Sequence, residues 1–126
     1  MRWVRVTVDC DDAEALATFY ARILGWEVHA SDGAGWVQLL DPSGGVGLNV
    51  QVEAWYERPR WPEVAGSPTK MMHFELLVDD LEAAVDLVVD AGGAEASPQP
   101  RDRDPRRIRV MLDPAGHPFC LFVAGE

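Results

Sequence analysis

Residues 3–9 alternate, with Val4, Val6 and Val8 on one side and Arg5, Thr7 and Asp9 on the other. That period of two predicts a strand with one buried face. Next, Asp11-Asp12-Ala13-Glu14 sets a carboxylate N-cap at Asp11 three residues before a glutamate, a variant of the capping box. Leu16, Phe19, Tyr20, Ile23 and Leu24 then recur at the spacing of an amphipathic helix, and Gly25 stops it. Short strands are predicted over 26–30, 35–41 and 46–52, with turns at Ser31-Asp32-Gly33 and Asp41-Pro42-Ser43-Gly44-Gly45.

The second half repeats the order. Residues 72–78 alternate as a strand, Phe74, Leu76 and Val78 against His73, Glu75 and Leu77. Asp79-Asp80-Leu81-Glu82 repeats the cap, Leu81, Ala84, Val85 and Val88 form the apolar stripe, and Gly92-Gly93 ends it. Strands follow over 94–97, 107–112 and 118–123. Cap, glutamate and stop glycine recur at one constant offset, and Asp113-Pro114-Ala115-Gly116 repeats the earlier Asp-Pro hairpin after a small insertion. The fold class is therefore α+β, two βαβββ modules in tandem. We expect one domain over 1–126, with modules at 1–52 and 71–126 and a connector at 53–70.

Composition narrows the function. Hydrophobic residues make up 48% of the 126, enough for a substantial core. No apolar run approaches the ~20 residues of a membrane span, and Met1-Arg2-Trp3-Val4-Arg5 enters the first strand without a signal-peptide core. A cytoplasmic protein is the expectation. The net charge of −10 argues against nucleic acid and anionic membranes as partners, because both reward an excess of Lys and Arg. Cys10 and Cys120 show no CxxC spacing, so neither a disulfide framework nor a zinc knuckle is indicated.

The segments LATFYARILGWEV (16–28), HFELLVDDLEAA (73–84) and DPAGHPFCLF (113–122), in a tandem βαβββ order, resemble the vicinal oxygen chelate superfamily. That superfamily includes glyoxalase I, bleomycin-resistance proteins, fosfomycin-resistance enzymes and extradiol dioxygenases. The chain looks most like its small glyoxalase-like domains, in which a Trp-Pro loop precedes the second module, here YERPRWPEV (56–64). The resemblance implies curved mixed sheets around a cleft, one helix per module packed outside, and a homodimer. It also implies that a divalent metal, where one is used, is held by the first and last strands of each module. By register those positions are Arg5 and His73 on the first strands, and Leu48 or a near neighbour and Cys120 on the last. Only His73 is of the expected type: a guanidinium has no lone pair to donate, and a thiol is a soft substitute for a carboxylate. A bulge in the strand 46–52 would turn Asn49 and Gln51 inward instead of Leu48, and Gln51 would then replace the lost ligand.

Arg5, Asp9, His73 and Glu75 fall opposite the apolar positions of their strands. They form either a polar cleft floor, with Arg5 anchoring a small polar or anionic ligand, or an ion-pair network such as Arg5–Glu75. His73 is the candidate catalytic or metal-binding side chain. Cys120 reads as a small buried hydrophobe unless His73 lies close enough to lower its pKa. Cys10, among aspartates, reads as inert. In the connector, Trp55, Tyr56 and Trp61 stand among arginines and prolines; they serve a dimer interface or close over a flat ligand, and the interface is favoured. The alternating RDRDPRR (101–107) reads as a solvated loop, and His29 and His117 as solvent-facing.

The expected function is metal-independent binding of a small organic molecule, with Arg5, Asp9, Gln51, Trp55, Trp61, His73, Glu75 and Cys120 as ligand-binding candidates and no cofactor. The alternative is a lyase, isomerase or dioxygenase whose divalent metal is held irregularly by His73, Cys120 and Gln51.

Overall fold

A computed structural model describes residues 1–125, and the chain divides into two compact units, Met1–Tyr56 and Glu57–Glu126. The first unit contains β1 (Arg5–Cys10), α1 (Ala13–Leu24), β2 (Val28–Ser31), β3 (Trp36–Leu39) and β4 (Gly47–Val52). Its mixed sheet has the order β1-β4-β3-β2, with β1 parallel to β4 and the other pairs antiparallel. The second unit contains β5 (Glu75–Leu77), α2 (Leu81–Asp90), β6 (Ala94–Glu95), β7 (Ile108–Leu112) and β8 (Pro118–Phe122). It repeats the arrangement as β5-β8-β7-β6. Both sheets are open.

Each helix starts one residue later in the acidic pair than the capping-box spacing predicts. Asp12 Oδ1 accepts from the amide of Ala15 at 3.0 Å, and Asp80 Oδ1 from that of Ala83 at 3.1 Å. Because both caps shift together, the repeat is preserved. At the end of α1, Gly25 adopts φ +69, which a glycine reaches without steric cost. There the amide of Trp26 closes on the carbonyl of Ala21 at 3.0 Å. Leu16, Phe19 and Tyr20 of α1 are fully buried with Val37, Leu39, Leu48, Val50 and Cys10. The Phe19 and Tyr20 rings meet edge to face at 5.0 Å.

The register decides which residues share a face. Val6 pairs with Leu48 and Val8 with Val50, whereas Thr7 pairs with Asn49 and Asp9 with Gln51. Leu48 thus lies on the helix side, correcting its assignment beside Arg5. Asn49 and Gln51 share the opposite face with Arg5, Thr7 and Asp9, and β4 needs no bulge to put them there. The irregularity in this sheet is in β2, between Val28 and Ala30. In the second unit, Met111, Phe119 and Leu121 are buried on the same side as Leu81, Val85 and Val88 of α2.

The two Asp-Pro turns share their mechanics. Asp41 Oδ1 accepts from the amide and hydroxyl of Ser43 at 2.8 and 2.7 Å, which holds its carboxyl below the usual range. Asp113 accepts from the amides of Ala115 and His117 at 2.9 and 3.0 Å. Asp113 is buried, and its other oxygen lies 2.7 Å from Nδ1 of His117. His117 is therefore a partner in the second turn, where the sequence pattern suggests a solvent-facing residue.

Candidate functional site

Strand β5 is shorter than the alternation suggests, and His73 lies two residues before it. Glu75 pairs with Cys120 and Val110 pairs with Cys120 in adjacent ladders, so these three share the sheet face turned away from α2. On that face Ala96, Val110 and Cys120 form a small apolar cluster, against which Trp61, Ile108 and Leu112 pack. The connector delivers Trp61 to this place. Its indole Nε1 donates to the Pro98 carbonyl at 2.8 Å, and the Arg60 amide donates to the Pro68 carbonyl at 2.8 Å. Lys70 lies over the indole ring, 5.4 Å from its centroid, and its ammonium pairs with Glu63.

These groups border an open cavity of about 240 Å³ lined by Trp61, Lys70, His73, Glu75, Pro100, Asp102, Arg103, Ile108, Val110 and Cys120. His73 Nε2 lies 3.5 Å from Glu75 Oε1 at the cavity edge. Burial raises the pKa of the Cys120 thiol, and the nearby Glu75 carboxylate raises it further. Lys70 and Arg103 act in the opposite direction without reversing the shift. Cys120 is thus a protonated thiol near neutrality, with no histidine lowering its pKa. Cys10 is fully buried and its Sγ lies 3.5 Å from the Gln51 carbonyl oxygen, consistent with an inert residue.

Of the candidates named from the sequence, Trp61, His73, Glu75 and Cys120 come together around one cavity. Arg5, Asp9 and Gln51 share the face of the first sheet turned away from α1. Trp55 stands in the first unit and is 92% exposed. Pattern reading missed Lys70, Asp102 and Arg103; the last two lie in the 101–107 loop, which is exposed as expected through residue 106 but lends these two side chains to the cavity rim. It also missed the two clamps that hold that loop. Gln99 donates to the Ala96 and Val110 carbonyls at 2.7 and 2.8 Å and accepts from the Val110 amide at 2.8 Å. Arg109, only 8% exposed, donates to the Pro105 carbonyl and to Glu82 and Glu95 on the α2 side of the sheet. The only signal for these clamps was an arginine and a glutamine beside apolar strand positions.

The superfamily resemblance raises the question of a metal. Among the described residues, no three of His, Cys, Asp and Glu stand close enough to hold one ion. His73 shares the cavity with Glu75, Asp102 and Cys120, but no three of these converge on one point, so the described residues do not fit a divalent site.

The profile of the glyoxalase-like domain family matches residues 5–122. Among solved structures, a glyoxalase-related enzyme from Fulvimarina pelagi is 20% identical, with TM-score 0.68, covering 98% of this chain and 88% of that one. A possible glyoxalase from Bacillus cereus is 14% identical, with TM-score 0.66 and coverage of 97% and 98%. TnmS3, described as an antibiotic binding protein from Streptomyces sp. CB03234, is 19% identical, with TM-score 0.59 and coverage of 99% and 97%. At these identities the likeness is one of fold. No curated protein matches the chain. The family match spans both βαβββ units, and with the repeated topology it shows that the chain belongs to the glyoxalase-like domain family.

Proposed function

We propose that the protein binds a small organic molecule without a metal ion, in the cavity walled by Trp61 and floored by Val110 and Cys120. The observation that carries this reading is the convergence of an aromatic wall, an apolar floor and charges of both signs around one hollow. The volume of about 240 Å³ is just below the ~300 Å³ at which drug-sized pockets begin. The ligand is then compact, or inserts one end. Lys70, Arg103, Glu75 and Asp102 all line the cavity, a balance that suits a neutral or zwitterionic molecule. Family membership supports the reading, as does the fold shared with a protein described as antibiotic-binding. We further propose a homodimeric, cytoplasmic protein.

The test has two arms, both on untagged protein purified without chelator. Elemental analysis and thermal-shift titration with Mn(II), Fe(II), Co(II), Ni(II) and Zn(II) should give neither stoichiometric metal nor stabilisation. A large stabilisation lost in His73→Ala would overturn the metal-free reading and support a metal-dependent enzyme. In the second arm, a panel of compact aromatic fragments should include saturable binders that Ile108→Trp, which fills the cavity, no longer holds. Binders unaffected by Ile108→Trp would overturn the location.

A further inference from the structure

Strand β2 is an edge strand of the first sheet, and its pairing with β3 is bulged. Val28 pairs with Leu39 and Ala30 with Gln38, so Val28 and His29 together stand against Leu39 alone. A bulge interrupts the alternation of side chains and re-aims one of them. Here three consecutive residues, Glu27, Val28 and His29, line one open hollow of about 470 Å³ with Gly25, Leu40 and Pro42. The hollow adjoins the end of α1. Gly25 caps that helix, and Val28 pairs with the fully buried Leu39, which lies on the helix side with Leu48. A valine on that side is normally covered by the helix. Because α1 packs on β3 and β4 and stops at Leu24, Val28 stays 51% exposed.

This hollow shares no lining residue with the cavity of the second unit, and its chemistry differs. Val28, Leu40 and Pro42 give it an aliphatic wall without an aromatic ring. Glu27 supplies a carboxylate, and the lining holds no lysine or arginine. The last carbonyls of α1 add partial negative charge at the Gly25 end. Arg22, the basic residue of the last helical turn, is not part of the lining. The net charge of −10 also favours the approach of a cation. We infer that the hollow is a second binding site, for a small organic cation made of an ammonium group on an aliphatic body. The ammonium meets the Glu27 carboxylate and the carbonyl end of α1, and a ring nitrogen of neutral His29 accepts a further hydrogen bond. The hydrocarbon covers Val28, Leu40 and Pro42. A hollow of about 470 Å³ falls within the ~300–1,000 Å³ of small-molecule sites.

The probe is cyclohexylammonium, titrated into the ¹⁵N-labelled full chain to about 10 mM to capture millimolar affinity. Saturable shifts are expected at the backbone amides of Gly25, Glu27, Val28 and His29, with the Trp61 indole N–H unmoved. Cyclohexanol, a body of the same shape without the charge, should bind about 10-fold more weakly, because it loses both the ion pair and the attraction of the helix end. Glu27→Gln should weaken the ammonium by about 3–5-fold, the upper range of an exposed ion pair. Val28→Lys, which sets a fixed cation in the hollow, should abolish the response. Glu27 and Val28 are both exposed, so the two variants should fold. Ile108→Trp, which fills only the cavity of the second unit, should leave the response intact. No saturable shift, equal affinity for cyclohexanol, full affinity in both Glu27→Gln and Val28→Lys, or unsaturable shifts spread over the acidic surface would each overturn the site. Shifts confined to Trp61 would overturn it too, and would support the cavity of the second unit instead.

Discussion

Arg109 donates from Nη2 to Oε1 of Glu82 at 2.6 Å, tying β7 to the first turn of α2. The same guanidinium reaches Glu95 at 2.9 Å and the Pro105 carbonyl at 2.7 Å. Burial works against its charge, but Glu82 and Glu95 more than offset this and raise its pKa. Arg109 is therefore the rear anchor of the loop that presents Asp102 and Arg103 to the cavity.

Replacing Arg109 with Met keeps much of the packing and removes five donors. Glu82 and Glu95 are exposed enough to regain water, so the loss should be about 1–3 kcal/mol, below that of a fully buried pair. Urea unfolding measures it. Amide exchange in residues 100–106 should rise by more than the global change, because the loop loses its anchor.

Trp61→Ala removes a side chain packed against the Val110 and Cys120 cluster and should cost about 2–4 kcal/mol, somewhat moderated because Trp61 is only partly buried. Trp61→Phe keeps most of the apolar contact and loses the bond to Pro98, for about 1 kcal/mol. Equal effects in denaturant melts would mean that the hydrogen bond, rather than the packing, holds the connector.

Gly44 and Gly116 occupy equivalent turns at φ +85 and +89. A Cβ on Gly44 meets open space, so Gly44→Ala should cost only the left-handed backbone penalty of about 1–2 kcal/mol. A Cβ on Gly116 would fall 2.5 Å from Cγ of Arg58, whose Nη1 donates to the Pro114 carbonyl at 2.7 Å. Gly116→Ala should therefore destabilise more than Gly44→Ala, and adding Arg58→Ala should recover part of the difference. A strictly additive double variant would show that the clash relaxes elsewhere.

The raised Cys120 pKa fixes a pH dependence. The thiol's contribution to stability is complete below the ordinary thiol pKa of about 8.5 and is lost as pH rises through the higher folded value. Native-state alkylation of Cys120 by iodoacetamide should thus begin only at more alkaline pH than for a free cysteine. Glu75→Gln removes one of the two causes and should move the profile toward neutrality. Mass spectrometry at each pH reads both profiles, and an unchanged profile in Glu75→Gln would leave burial as the sole cause.

The amino-acid sequence alone determined the tandem α+β architecture. Its signals are local: alternation in β1, the stripe from Leu16 to Leu24, an aspartate before each helix, and Asp-Pro turns closed by glycine. Such signals need only neighbours a few residues away, so they are legible before any long-range contact is known. Element ends were less sharp. Cap geometry chose Asp12 over Asp11, and pairing shortened β5, leaving His73 outside it.

Only the tertiary structure decided which chemistry-bearing residues meet. Parallel pairing of β1 with β4 set Asn49 rather than Leu48 beside Thr7, a one-residue register choice that turns every side chain to the other face. Trp61, from a connector with no periodic pattern, found its place through Pro98 and the apolar face of β7 and β8. Asp102 and Arg103 reached the cavity because Gln99 and Arg109 fix the loop from both ends. The β1–β4 pairing and the Trp61–Pro98 contact join residues far apart in the chain, and the loop clamps depend on β7 being in place. Their stability comes from packing and hydrogen bonds that exist only once the strands are paired, so local pattern carries no trace of them.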